Sequence, residues 1–211
     1  KWQVSIDFVK IVWLKLYYEY TYPCNIIIYP MTTIKPQLII TWVSGSWKTT
    51  IMEALLKEYP TNFWRPIQYT TRAPRDDKEL DSYVFLTKSQ FYKKLENGDF
   101  IEFTEYNWNL YAISAYIDTN LSNIFIVEPV GRAALKKFFH QNEIPYRGIY
   151  LELDEDEAKT RMMNRWDSKK SIDSRLEDFK YFHPEVDDKI LDASIPISRN
   201  VEFIAKSIWA L

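Results

Sequence analysis

From Met31 onward, hydrophobic positions recur in two alternating rhythms, short apolar runs suited to buried strands and longer stretches with helical spacing. Residues 37–43 form an apolar run of the kind a strand covered on both faces carries. Residues 49–58 follow with Ile51, Leu55 and Leu56 at helical spacing. Further buried strands are predicted over 123–128 and 148–153, and helices over 131–140, 155–165, 172–181 and 201–210. Between residues 66 and 113 the pattern changes to short alternating strands with one helix over 89–97, stopped by Gly98. Strands alternating with helices predict an α/β domain with a mainly parallel sheet, into which this block is inserted as a subdomain. No internal repeat or low-complexity segment interrupts it.

Residues 1–30 have a different texture. They begin at Lys1, crowd Tyr17, Tyr18, Tyr20, Tyr22 and Tyr29 together, and hold no sustained period. They lack the basic start, unbroken apolar centre and small-residue cleavage site of a signal peptide. An extra strand or disordered arm is one reading. The favoured one is a non-native leader ahead of a true start at Met31.

Composition narrows the class. A chain of 211 residues, 46% hydrophobic and 27% charged, can bury a core as one soluble globular domain without disulfides or structural metal. Lys+Arg 27 against Asp+Glu 29 gives a net charge of -2, so no basic coat exists for nucleic acid or an anionic membrane, although a local arginine cluster could hold a small anion. The single Cys24 excludes an internal disulfide framework and a cysteine-rich metal site. No apolar run reaches the roughly 18 residues of a membrane span. A cytoplasmic protein is expected. One pair of counts is abnormal: Gly is 4 of 211, about 2% where about 7% is usual, while Trp stands at 8.

The chemistry begins at Ser44-Gly45-Ser46-Trp47-Lys48-Thr49-Thr50, between a predicted strand and helix. In a phosphate-binding loop, backbone N–H groups and a helix N-terminus cradle phosphates, a lysine reaches the β- and γ-phosphates, and the next hydroxyl binds Mg2+. Lys48 and Thr49 suit those roles. The pattern wants glycine where Trp42 and Trp47 stand, because the backbone must turn tightly and approach the phosphates closely. On these residues alone, a damaged phosphate loop and a polar strand-to-helix turn both remain open.

A second, ordered set follows: Tyr69-Thr70-Thr71-Arg72-Ala73-Pro74-Arg75, Glu79, Ser82-Tyr83-Val84-Phe85, Phe100-Ile101-Glu102-Phe103 and Asn109-Leu110-Tyr111. In order and approximate spacing it resembles the nucleoside-monophosphate-binding region of guanylate kinases, and the likeness runs from about residue 37 to 208. The resemblance implies a P-loop NTPase-type parallel sheet flanked by helices (core 37–65 and 115–211), a GMP-binding insert at about 66–114 and a helical lid at about 160–178, all within a domain of residues 31–211. It also makes the tryptophans legible. Trp42, Trp47, Trp108 and Trp166 stand where such kinases typically carry glycine. A genetic code in which UGA means glycine, conceptually translated here as tryptophan, accounts for all four together. It would extend to Trp2, Trp13, Trp64 and Trp209.

The resemblance implies transfer of the γ-phosphoryl of ATP to GMP, with Mg2+ as cofactor held at Thr49 and no nucleic-acid or membrane partner, in a monomer or homodimer. Ser44 through Thr50 would bind ATP. Lys48, Arg72, Arg161, Arg165 and Arg175 would be catalytic, the last three from the lid, because the transferring phosphoryl spreads negative charge over its oxygens. Arg72 and Arg75 suit bidentate capture of the GMP phosphate. Tyr83 and Tyr111 resemble the family's phosphate-contacting tyrosines. Glu102 stands where the family reads guanine by accepting from its N1–H and 2-amino group. Gln68 replaces a serine that usually helps read the base, Ile113 replaces a hydroxyl, and Glu128 stands for an aspartate near the base or the Mg2+ waters. No residue is assigned to adenine, whose recognition is expected around 192–194. Two other readings stand beside the enzyme: a catalytically inactive guanylate-kinase-like module that recognises a nucleotide or phosphorylated partner, favoured by literal tryptophans at 42 and 47, and a related small-molecule kinase with another acceptor.

Overall fold

The computed structural model describes residues 34–74, 83–106 and 108–209. The expectation for residues 1–30 lies outside them. In chain order the elements are β1 (Gln37–Trp42), α1 (Lys48–Glu58), β2 (Phe63–Trp64), β3 (Gln68–Thr70), β4 (Val84–Phe85), α2 (Lys88–Glu96), β5 (Phe100–Tyr106), β6 (Asn109–Ser114), β7 (Ser122–Ile126), α3 (Pro129–Gln141), β8 (Tyr146–Glu152), α4 (Glu155–Asn164), α5 (Lys169–Glu177), a 3-10 turn (Asp178–Lys180), β9 (Lys189–Asp192) and α6 (Ile197–Trp209). They fall into two compact units, Pro66–Ile117 being one and the segments ending at Arg65 and beginning at Asp118 the other.

The larger unit is built on a five-stranded sheet of order β2-β7-β1-β8-β9, every neighbouring pair parallel. β1 lies in its middle, with Leu38, Ile39 and Ile40 fully buried, as expected of an apolar run sandwiched by helices. On one side α6 buries Val201, Ile204, Ala205 and Ile208, a stripe at helical spacing that joins the core around Ile40, Ile51 and Leu151. Each of the larger side chains, Val201, Ile204 and Ile208, contributes about 1.5–3 kcal/mol when fully buried. Phe125 of β7 meets Phe139 of α3 at a ring separation of 5.4 Å. The connection leaving β1 runs toward β2 and that leaving β7 runs toward β8, in opposite directions across the sheet, and such a switch point is where open α/β sheets bind ligands.

The smaller unit holds a four-stranded sheet of order β4-β3-β6-β5, with β3 and β4 parallel and the other pairs antiparallel. One face packs Tyr69, Phe100, Phe103, Leu110 and Ala112 against Phe91 and Leu95 of α2. Thr87 starts α2 with a capping box, accepting from the Gln90 N–H while the Gln90 side chain accepts from the Thr87 N–H.

Two helices differ from the sequence expectation by more than two residues at an end. The helix expected over 172–181 begins at Lys169 and ends at Glu177, and its last turn tightens to 3-10 geometry where Phe179 packs on the core. The helix expected over 201–210 begins at Ile197, its polar first turn held by buried Asn200, whose side-chain amide donates to the Asp192 carbonyl at 2.9 Å. Among the described residues no helix is long and apolar enough to cross a membrane.

Candidate functional site

The β1–α1 connection wraps tightly. Gly45 has φ 87°, and a Cβ there would meet the Ala158 Cα of α4 at 3.3 Å, so the loop lies directly on that helix. The Gly45 carbonyl accepts from Arg161 Nη1 at 3.1 Å. Trp47, at φ 60° and ψ 23°, occupies the N-cap of α1 and gives it no side-chain cap. The first N–H groups of this helix therefore point outward without an intrahelical acceptor, the usual setting for an anion. The Ser46 hydroxyl is buried with no hydrogen-bond partner, Ser44 and Thr50 are half-buried, and Thr49 is exposed in the first turn.

Cations converge on this loop. Lys48 Nζ sits 4.6 Å from the centroid of the Trp42 ring. Burial, followed by the nearby charges of Arg165 and Arg175, lowers its pKa to about 8, while Glu128 opposes the shift. Arg165 and Arg175 each donate to Asp167 Oδ2, at 2.5 Å, and hydrogen bonding from Arg165 holds that carboxyl below its usual range. Arg161 donates to Glu157 Oε1 at 2.5 Å and to the Ala193 carbonyl at 3.0 Å, with its guanidinium 5.4 Å from the Trp47 ring centroid. A lysine whose proton is destabilised first by burial and then by arginine charge is one that a polyanion would relieve.

The smaller unit gathers the other residues. Gln68, Ile113 and Glu102 are direct cross-strand partners over β3, β6 and β5, and Thr70, Tyr111 and Thr104 form the next rung. Both rungs share the face opposite the α2 core, because side chains alternate along a strand. Glu102 is buried there. Tyr111 meets Tyr83 edge-on at 6.4 Å, and the Arg72 guanidinium lies 6.0 Å from the Tyr83 centroid. The Arg72 N–H donates to the Thr70 hydroxyl at 3.1 Å, fixing the chain as it leaves β3. Thus a carboxylate, an amide, two phenols and a guanidinium occupy one face and one edge of a small sheet. Arg75, Glu79 and Ser82 lie outside the described residues.

Glu128, grouped from the sequence with the acceptor residues, stands at the N-cap of α3 in the larger unit and acts electrostatically on Lys48. Asp167 and Glu157, which accept from Arg165, Arg175 and Arg161, were not singled out from the sequence. The Arg161–Glu157 pair at i,i+4 spacing is the signal that could have found one of them. Around 192–194, the Asp192 side chain accepts from the Ser194 N–H at 2.7 Å and Ala193 holds Arg161.

A family profile described as "Guanylate kinase" matches residues 35–127, spanning the phosphate loop and the small sheet. The guanylate kinase of Protochlamydia amoebophila is 32% identical over 145 residues, covering 65% of this chain and 71% of that protein. That of Clostridium acetobutylicum is 30% identical over 160 residues, covering 71% of each. The chain belongs to the guanylate kinase family. A likeness to guanylate kinase 1 of rice, 38% identical over 79 residues, spans 36% of this chain and only 20% of the rice protein's length. The crystal structure of guanylate kinase from Anaplasma phagocytophilum superposes with a TM-score of 0.63 at 20% identity, covering 85% of this chain and 87% of that one, a likeness of fold. The five-stranded parallel sheet with its helices and the separate four-stranded sheet are the guanylate kinase architecture.

Proposed function

We propose that this chain is an ATP-dependent guanylate kinase that converts ATP and GMP to ADP and GDP. The observation that carries the proposal is Lys48, buried and acted on by the charges of Arg165 and Arg175, beside an uncapped helix N-terminus, an arrangement complementary to a triphosphate. Phosphoryl transfer needs positioning and charge neutralisation more than covalent chemistry. Lys48 would hold the donor's β- and γ-phosphates, the N–H groups at the start of α1 would bind phosphate oxygens, and Arg161, Arg165 and Arg175 would neutralise charge that grows on the transferring group. Asp167 and Glu157 would aim those arginines.

Mg2+ suits the donor set. The exposed Thr49 hydroxyl is a hard oxygen ligand, and among the described residues no three His, Cys, Asp or Glu side chains gather as an all-protein metal cage. Thr49 and the substrate phosphates would hold the ion, which when bound neutralises phosphate charge. Arg72 and Arg75 would take the GMP phosphate with Tyr83 and Tyr111. Glu102 would accept from guanine N1–H and its 2-amino group, a donor pair adenine does not offer. Gln68, on the same rung with Ile113 between them, would contribute to reading the base.

Measuring ADP formation from Mg2+–ATP with GMP, AMP, dTMP or UMP tests this. GMP is expected to be the preferred acceptor, and Lys48→Met to lower kcat by about 10²–10³-fold. Equal turnover of all acceptors would overturn the assignment. The second reading, an inactive module that binds a nucleotide or phosphorylated partner, is favoured by one observation: the indoles of Trp42 and Trp47 lie against Lys48 and Arg161. Binding of GMP or a phosphopeptide without any transfer would support that reading.

A further inference from the structure

We infer that Trp47, Trp108 and Trp166 mark positions where the protein made in its own cells carries glycine, that Trp42 is a fourth, and that the phosphate loop is therefore a glycine loop. Among the described residues, four that are not glycine have positive φ: Trp47 (60°), Trp108 (65°), Glu143 (53°) and Trp166 (63°). The left-handed region disfavours side chains with a Cβ, and a bulky aromatic is an outlier there. A residue type that occurs 8 times in 211 thus fills three of four such places. Glu143 shows that an ordinary residue can occupy one helix end of this kind; the concentration of tryptophan is the anomaly.

Each site has a local reason to want glycine. At the end of α4, the Trp166 N–H donates to the Met163 carbonyl at 2.9 Å and the Asp167 N–H to the Met162 carbonyl at 3.2 Å. That pair of bonds is a Schellman cap with Trp166 at its left-handed position, most often glycine. Trp108 stands immediately before Asn109, whose partner across the ladder is Tyr106, so it lies in the tight turn of a β-hairpin. Asn-Gly is the preferred filling of such a turn. Trp166 is 93% exposed and Trp108 76% exposed, so neither indole is repaid by burial. At the loop, Trp42 and Trp47 fall on the two glycine positions of G-x-x-x-x-G-K-[ST], the second with φ 60°. There the indoles lie over Lys48 and Arg161, the cations that phosphates would engage. One cause covers all four positions: UGA codons that the cell reads as glycine, rendered as tryptophan on translation with the standard code.

The consequence for ATP rests on the kinase assignment, whereas the backbone requirement does not, so the tests separate them. The gene is expected to carry UGA at positions 42, 47, 108 and 166, and peptide mass mapping of the protein from its source cells is expected to find glycine there. UGG codons, or peptides of tryptophan mass, would overturn the inference. In the full recombinant chain, Trp108→Gly and Trp166→Gly are each expected to raise Tm by about 2–4 °C. A rise in Tm with no phosphoryl transfer from a chain carrying all four exchanges would leave the inference standing and remove the kinase assignment. Transfer by the chain as written, with Tm unchanged or lowered by Trp108→Gly and Trp166→Gly, would do the reverse.

Discussion

Lys48 is where charge and burial act on one another most directly. With a pKa lowered to about 8 by burial and by Arg165 and Arg175, it binds fewer protons in the folded protein than in the unfolded chain from about pH 8 up to its ordinary 10.5. Over that window its contribution to stability rises with pH, because the cost of keeping it charged in the fold is lost as it deprotonates. Nucleotide binding should run the other way. Phosphates favour the charged amine, so ATP is expected to bind with proton uptake just above pH 8 and to lose affinity as pH rises further. Calorimetry in buffers of different ionisation enthalpy reads the uptake, and none would show that Lys48 does not meet the phosphates. On the small sheet, Glu102→Gln is expected to lower kcat/KM for GMP by about 10–100-fold, the loss of one charged acceptor pair, while leaving that for AMP unchanged. An equal loss for both acceptors would assign Glu102 a structural role. That Lys48 and Thr49 open a helix directly after a buried strand was legible in the sequence, from the apolar run and the helical spacing that follows it. The coupling of Lys48 to arginines more than a hundred positions away was not, since no local pattern records it.

At the scale of elements, caps decide where the loop-facing helix α4 begins. The Asp154 carboxylate accepts from the N–H groups of Asp156 and Glu157 at 2.9 and 3.3 Å, and three acidic residues fill the first turn. Asp154→Ala is expected to reduce stability by about 1 kcal/mol in urea denaturation, and also kcat, because α4 carries Arg161. Unchanged kcat alongside the stability loss would uncouple the start of α4 from the loop. Long apolar runs such as β1 and β8, and the insertion between them, could be read from periodicity. β2 and β4, with two residues each, are too short to leave a period. The start of α6 was hidden because Ser198, Arg199 and Asn200 read as loop until Asn200 is seen to bond Asp192.

For the larger unit as a whole, stability depends on charges that join distant segments. Arg132 of α3 meets Asp188 at 2.7 Å and Glu185 at 3.0 Å, and Lys136 meets Asp187 at 2.6 Å. Asp188 is wholly buried, and a Cβ on Gly148 would come within 2.2 Å of its Oδ1. Gly148→Ala is therefore expected to destabilise by about 1–3 kcal/mol, and Asp188→Ala by about 3 kcal/mol through the buried guanidinium it leaves behind. Chemical denaturation reads both, and a neutral Gly148→Ala would mean that the ion pair can shift at no cost. Hydrogen bonding from Lys136 holds the Asp187 carboxyl below its usual range, so its stabilisation is present near neutrality and is lost as pH falls through that lowered value. The parallel sheet was legible from alternating strands and helices, but this network was not, because the same charges in sequence describe a solvated surface equally well. The most direct measurement is steady-state ADP and GDP formation from Mg2+–ATP and GMP by two full-length chains, one as written and one carrying Trp42→Gly, Trp47→Gly, Trp108→Gly and Trp166→Gly. A guanylate kinase whose phosphate loop is made of glycine will turn over GMP in the second chain, and poorly or not at all in the first. Absence of transfer by both, with GMP still bound, would contradict it.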